Sequence, residues 1–262
     1  MNIRRKILLI ILLSVFLNAN SQNNIYGEIE YTYATNIFKL FTQKYKMKFN
    51  DSLSFSLETD IKKTSDKSVN ITEQKGVSRV SFVGRKNLTP QYYYHNRSKN
   101  EFYFRKNYYN ETLLVKEEEQ DWDWILTEET QLIGRFVCKK ATTKFRGRNY
   151  TAWYTEQIPL PYGPWKLNGL PGLILEAYDD DGVFQLYATR ITIKKNDTIN
   201  IDFDLAELEK AMTIKDYISR RIELVKADLA ELSSKLPKGS KPIEYNENCD
   251  DCRDQIEYFN KD

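Results

Sequence analysis

Beyond its first 21 residues this sequence has no apolar run long enough for a membrane helix, which needs about 20 residues. Histidine occurs once, as His95, and cysteine three times, as Cys138, Cys249 and Cys252. A Gly-x-Ser-x-Gly elbow, a His-Glu-x-x-His pair and a phosphate-binding glycine loop are all missing. Those gaps remove the most recognisable routes to nucleophilic, zinc-hydrolytic and nucleotide chemistry. No excess of positive charge is available either. Three of the 39 basic residues and none of the 37 acidic ones fall in residues 1–21, so the remainder carries 36 against 37. A nucleic-acid partner, which needs a basic footprint, is therefore not expected. Glycine and proline are scarce, at 10 and 7, yet Gly163, Pro164, Gly169, Pro171, Gly172 and Gly182 crowd between Tyr162 and Gly182. Such a stretch dictates backbone shape where the rest of the chain dictates side-chain pattern.

The N-terminus is built as a secretory signal. Arg4, Arg5 and Lys6 precede the apolar run Ile7 to Leu17, and Asn18-Ala19-Asn20-Ser21 offers small residues for a cut after Ser21. Residues 1–21 are read as a signal peptide, with an uncleaved anchor as the alternative and no cysteine after the cut to carry a lipid. The expected location is the periplasm or the outer cell surface.

What the chain has in quantity is aromatic side chains, with 18 Tyr, 13 Phe and 4 Trp, a composition that suits half-buried strands. Period-two alternation marks Gly27 to Tyr33, Tyr45 to Phe49 and Leu53 to Leu57, with Asn50-Asp51-Ser52 turning between the last two. Further strands are expected at Val77–Val83, Gln91–Tyr94, Glu101–Phe104, Thr112–Lys116 and Trp122–Leu126. Two hairpins follow: Gly134–Phe145 with Tyr150–Thr155, and Leu173–Tyr178 with Val183–Ile193, before a last strand at Thr198–Phe203. Lys62 to Lys75, polar and without periodicity, is read as a loop. The period then lengthens to about 3.6, and Thr213 to Leu236 reads as an amphipathic helix opened by Thr213 and Asp216 and stopped by Pro237.

The domain plan is thus residues 22–203 as an antiparallel β domain, 204–236 as a helical segment packed on it, and 237–262 as a polar acidic tail. The fold class expected is mainly β: a strongly curved antiparallel sheet, or open β-barrel, of about eight to ten strands covered by the long helix.

Gly169-Leu170-Pro171-Gly172-Leu173-Ile174 stands intact, after Ile133-Gly134-Arg135-Phe136-Val137-Cys138-Lys139-Lys140-Ala141, Ala152-Trp153-Tyr154-Thr155, Ile158-Pro159 and Gly163-Pro164. This series resembles the GLPGLI family, exported proteins of Bacteroidetes-type bacteria. The resemblance covers Trp122 to about Ile193 and implies secretion to the cell envelope. It implies no reaction, so it assigns no catalytic residue. A looser likeness of fold points to lipoprotein-carrier half-barrels, open curved sheets closed by helices.

Candidate sites follow from the residues. Gly163, Pro164, Gly169, Leu170, Pro171, Gly172, Leu173 and Ile174 form the structural motif, with Pro171-Gly172 suited to a type II turn. Trp165 and Leu170 either plug the barrel or touch a ligand, with Trp153 and Tyr154 nearby in sequence. Asp179-Asp180-Asp181-Gly182 reads as a solvated hairpin turn, calcium binding being the alternative. Cys249 and Cys252 are candidates for a disulfide, with thiol-redox or metal work as the alternative. Cys138 reads as a buried thiol and His95 as a strand-end or turn residue. No catalytic residue, metal or cofactor is expected. The function expected is non-enzymatic: a binding or carrier protein that holds an apolar or extended ligand, or a partner segment, on the concave side of the sheet. An accessory subunit of an outer-membrane receptor or secretion complex, a thiol or metal protein and an envelope hydrolase are the alternatives.

Overall fold

The computed structural model describes residues 25–36, 40–61, 68–74, 77–83, 89–108, 111–118, 120–195, 203–236, 239–241 and 257. One sheet of twelve strands dominates, more than the eight to ten expected. Its first half contains β1 (Ile25–Asn36), β2 (Leu40–Phe49) and β3 (Leu53–Glu58). The hairpin between β2 and β3 is set by Asn50, whose side-chain oxygen accepts the amides of Ser52 and Leu53, each at 2.9 Å. A separate two-stranded sheet pairs β4 (Ser68–Gln74) with β5 (Val77–Val83). Within the loop expected over Lys62 to Lys75, residues 68–74 are therefore corrected to strand, and residues 62–67 and 75 lie outside the described residues. Val69 and Ile71 alternate within it and stand in register with Phe82 and Val80 of β5, so cross-strand pairing supplies the order that composition hid.

The chain returns to the main sheet with β6 (Tyr92–Asn96), β7 (Glu101–Tyr108) and β8 (Glu111–Glu118). The second half is β9 (Ile125–Ile133), β10 (Phe136–Phe145), β11 (Arg148–Thr155), β12 (Leu173–Asp179) and β13 (Phe184–Lys195). A two-residue strand, β14 (Met212–Thr213), lies parallel to β8, and the other pairings are antiparallel. The order is β14-β8-β7-β6-β3-β2-β1-β13-β12-β11-β10-β9. The strand expected at Trp122–Leu126 starts later, at Ile125, and runs on to Ile133. Gly134, at φ +61°, is the turn between β9 and β10, whereas the sequence suggested that a strand begins there. Of the last expected strand, Thr198–Phe203, residues 198–202 lie outside the described residues. Phe203 packs its ring against Phe55, Tyr92 and Tyr94 on the second, smaller core.

The sheet is open but strongly curved. Glu117, on the second strand of the order, forms an ion pair with Arg146, on the turn between the tenth and eleventh. Strands so far apart in the order meet only if the sheet curls. Inside the curl lies the segment between β11 and β12, which buries Ile158, Leu160, Tyr162, Trp165, Leu167 and Leu170 against Tyr31, Met47, Phe49 and Phe184. The Tyr31 hydroxyl donates to the Ile174 carbonyl at 2.6 Å and ties β1 to the start of β12. Helix α1 (Ile214–Ser234) opens on Thr213, whose hydroxyl accepts the Asp216 amide at 3.1 Å, and closes the β8–β14 end of the sheet. Tyr217 meets the Phe104 ring edge-on there, at 5.4 Å.

Gly172 does not adopt a positive φ, so the expected type II turn at Pro171-Gly172 is corrected. The glycine is needed for contact instead, because a Cβ there would fall 2.2 Å from the Thr155 carbonyl oxygen. Gly172→Ala is expected to cost about 3 kcal/mol, since backbone must move. Gly182→Ala, at φ +67° but in open space, should cost about 1 kcal/mol. Denaturant midpoints of the two variants check the order, and equal losses would count against the contact.

Candidate functional site

The residues that carried the sequence reading separate in the structure. Trp165 is 3 % exposed and sits among Trp122, Phe145, Tyr150 and Phe184, with ring centres 4.9–6.4 Å away. Trp153 and Tyr154 are buried on β11, and Leu170 is buried with one side toward a surface cleft. The concave side holds a void of about 10 Å³ beside Trp165, His95 and Ser56. That is room for about one water. Among the described residues Trp165, Trp153 and Tyr154 are buried as members of the main core.

The other candidates also find places. Asp179 is not part of a solvated turn. It is buried, pairs with buried Arg148 at 2.9 Å and accepts the amides of Val183 and Phe184, each at 2.8 Å. Asp181 binds the same guanidinium from the surface at 2.9 Å. Asp179 and Asp181 therefore staple the β12–β13 hairpin, their carboxylates held by Arg148 and, for Asp179, by backbone amides. His95 is buried in β6 and packs edge-on against Tyr162 at 5.7 Å. Cys138 is a buried thiol whose pKa burial pushes up to about 11, which makes it a poor nucleophile. Cys249 and Cys252 lie outside the described residues.

A cleft opens on the outer side of the Gly-Pro segment, and Leu170, a candidate from the sequence, is on its wall. Trp122 and Trp124 stack at 5.4 Å with planes 10° apart. Their indole N–H groups donate to the carbonyls of Lys166 at 3.1 Å and Asn168 at 2.8 Å. Asn168 donates its own amide to the Lys166 carbonyl at 3.0 Å, so the loop's carbonyls are held in one direction. Gly169, at φ +87°, turns the chain beneath Trp124. Between Trp124, Leu126, Asn168, Gly169 and Pro171 lies an open cleft of about 230 Å³, with the exposed carboxylates of Asp121 and Asp123 beside it.

The cleft continues onto β9. Among the described residues β9 has a strand on one side only, that of β10. Ile125, Leu126 and Leu132 on it, and Val137 on β10, are 66, 53, 71 and 50 % exposed. The centre of the strand, Glu128-Glu129, is charged, and Glu129 pairs with Lys140 at 2.9 Å. The alternation Asp121-Trp122-Asp123-Trp124 was the sequence signal for a surface with one buried and one wet face. Nothing in sequence distinguishes the exposed apolar residues of an edge strand from core residues.

Residues 145–176, which include the Gly-Leu-Pro-Gly-Leu-Ile motif, match the model of a family described as a protein of unknown function (Porph_ging). That is a Bacteroidetes-type family, consistent with the GLPGLI resemblance and compatible with an exported protein. No curated protein matches the chain. Among solved structures it is similar to PNGF-II in its C2 and P21 crystal forms, at 20 and 19 % identity and a TM-score of 0.49. The likeness covers 77 % of this chain but only 33 and 34 % of those chains, so the chain spans about one third of their length. An uncharacterized conserved protein from Thermus thermophilus is similar at 10 % identity and a TM-score of 0.34, over 77 % of this chain and 98 % of that one. These likenesses are too loose to carry a functional inference. Among the described residues no helix is long and apolar enough to cross a membrane.

Trp124→Phe keeps a ring in the cleft and removes the bond to the Asn168 carbonyl. It is expected to cost about 1 kcal/mol of stability. It should also speed hydrogen exchange at the Gly169 amide, which donates to Pro161 at 3.2 Å. Unchanged exchange at Gly169 would show that the indole does not order the loop.

Proposed function

We propose that the protein is an exported, non-enzymatic binding protein of the cell envelope. It holds an extended segment of a protein partner along the outer edge of β9, with an apolar side chain of that segment seated in the Trp124–Pro171 cleft. The observation that carries this reading is the β9 edge: a nine-residue strand, unpaired on its outer side among the described residues, with large apolar side chains exposed at both ends. Soluble proteins usually blunt such an edge, because it templates pairing with another chain. Addition of a strand draws affinity from main-chain hydrogen bonds and specificity from a pocket for alternate side chains, and the cleft supplies the pocket.

The charged centre of β9 narrows the partner. Antiparallel pairing of two copies centred on the strand sets Glu129 against Glu129, which is unfavourable. The fitting segment is apolar at its ends and basic or polar in its middle. A role as accessory subunit of an envelope complex is one form of this reading.

A photo-crosslinking residue placed at Leu132 in cells should give an adduct of discrete mass with another protein, and Leu126→Asp should abolish it. Absence of any adduct, or only a homodimeric one, would overturn the proposal. The export part has its own check. The chain recovered from the envelope should begin at Gln22, and recovery from the cytoplasm with Met1 retained would refute it.

A further inference from the structure

The opposite side of the Gly-Pro segment faces a set of ionised groups that partner binding leaves unused. Lys166 Nζ lies 2.6 Å from Glu117 Oε2 and 2.8 Å from Glu257 Oε1. Arg146 donates to the same two carboxylates. The side chains of Glu117, Lys166, Arg146 and Glu257 are 1, 2, 8 and 9 % exposed. The Lys166 ammonium also stands 4.4 Å from the centre of the Phe104 ring. Three of the four groups belong to fixed parts of the fold: β8, the β10–β11 turn and the buried loop. Glu257 comes from the C-terminal tail, 91 residues beyond Lys166.

Charge and geometry treat Glu257 differently from the rest. Both buried cations, Arg146 and Lys166, reach Glu257 as well as Glu117. Half-buried Lys106 adds a third positive group nearby, its ammonium pushed down by burial to about 8. Both cations converge on the same oxygen of Glu257. Burial alone would raise the pKa of that carboxyl. Lys166 and then Arg146 outweigh burial and hold it at about 2, so it is ionised whenever the protein is folded near neutrality. A guanidinium and an ammonium fixed on one oxygen, with aromatic rings around them, are the donor set that selects a carboxylate.

We propose that Arg146 and Lys166 form a carboxylate-binding site inside the domain, and that the chain occupies it in cis with the side chain of Glu257. Glu257 is then a ligand supplied by the chain itself. With the Glu257 carboxylate removed, the site accepts a small monocarboxylate from solution. The proposal stands apart from the reading of the β9 edge and survives its failure.

The test uses the full chain and acetate as the probe. Glu257→Ala should lower the thermal midpoint by about 10 °C, as removal of one partner from a buried ion pair does in a domain of this size. Sodium acetate should restore at least half of that loss with saturation. Sodium chloride at the same ionic strength should not, and the double variant Lys166→Met with Glu257→Ala should not respond to acetate. An unchanged midpoint in Glu257→Ala, or equal effects of acetate and chloride, overturns the proposal.

Should Glu257→Ala not fold, Glu257→Gln carries the test through pH. A carboxyl whose folded pKa is depressed contributes stability above its ordinary value, and that stability is lost as pH falls toward the folded one. Wild type should therefore lose stability between about pH 4.5 and 2, and Glu257→Gln should lose less. Glu117, Tyr93, Lys106, Arg146, Tyr150, Lys166 and Tyr217 face the group. Glu117 is the other carboxyl among them and is common to both proteins. Parallel pH curves would overturn the proposal.

Discussion

Trp165 stands in the left-handed region of backbone space, at φ +58°, where a bulky side chain is rare. That conformation costs about 1–2 kcal/mol. An indole buried from water removes roughly 200 Å² of largely apolar surface, about 5 kcal/mol as an upper figure. Packing therefore wins, and the strain persists because the surroundings over-determine it. The ring is pinned among Trp122, Phe145, Tyr150 and Phe184, which come from the segment before β9 and from β10, β11 and β13. The sheet curls around this one side chain. Reversing the backbone at Trp165 also sends the next residue, Lys166, toward β8, where Glu117 receives it.

Two properties of the molecule follow from that placement. Among the described residues the concave side is packed around Trp165, with a void of about 10 Å³ beside it. The loop's outer carbonyls, turned away from the core, are answered by the indole N–H groups of Trp122 and Trp124. One segment thus has an inner face that organises the core and an outer face that shapes a cleft. The Gly-Leu-Pro-Gly-Leu-Ile motif lies where those two faces part. Gly172 lets the chain pass against Thr155, and Leu173, Ile174 and Leu175 are buried immediately after it.

Much of the fold was legible because its signals are local. Alternation placed the strands, the turn residues placed the hairpins at Asn50 and Gly147, and the change of period placed the helix within two residues of its ends. The contiguous aromatics Tyr92–Tyr94 alternate across the expected strand, and the structure gives Tyr93 to the main core and Tyr92 and Tyr94 to the smaller one. What failed was non-local. A pattern of alternation says which side chains share a face but not what lies across from that face. The burial of Asp179 depends on Arg148, and that of Glu117 on Arg146 and Lys166, none of which is a neighbour in sequence. Leu170 was a candidate, but the rest of the cleft wall was not legible for the same reason, since Trp124 and Pro171 come together only when the loop has folded. Glu257 sits in a stretch whose composition suggests solvent, and no local feature distinguishes it from the acidic residues around it.

The two ends of the sheet show how differently the chain treats its unpaired edges. At the β8 end a two-residue parallel strand and helix α1 leave little main chain to pair, and Tyr217 packs into the core from the helix. At the β9 end no such cover is present among the described residues. Instead the strand keeps its apolar ends and carries charge only in the middle, a pattern that disfavours pairing with itself while leaving the edge open to another sequence. Specificity of that kind needs a rigid template. Beside β9 the stacked indoles and the loop held by Trp165 fix the cleft wall before any partner arrives, which lowers the ordering cost of association.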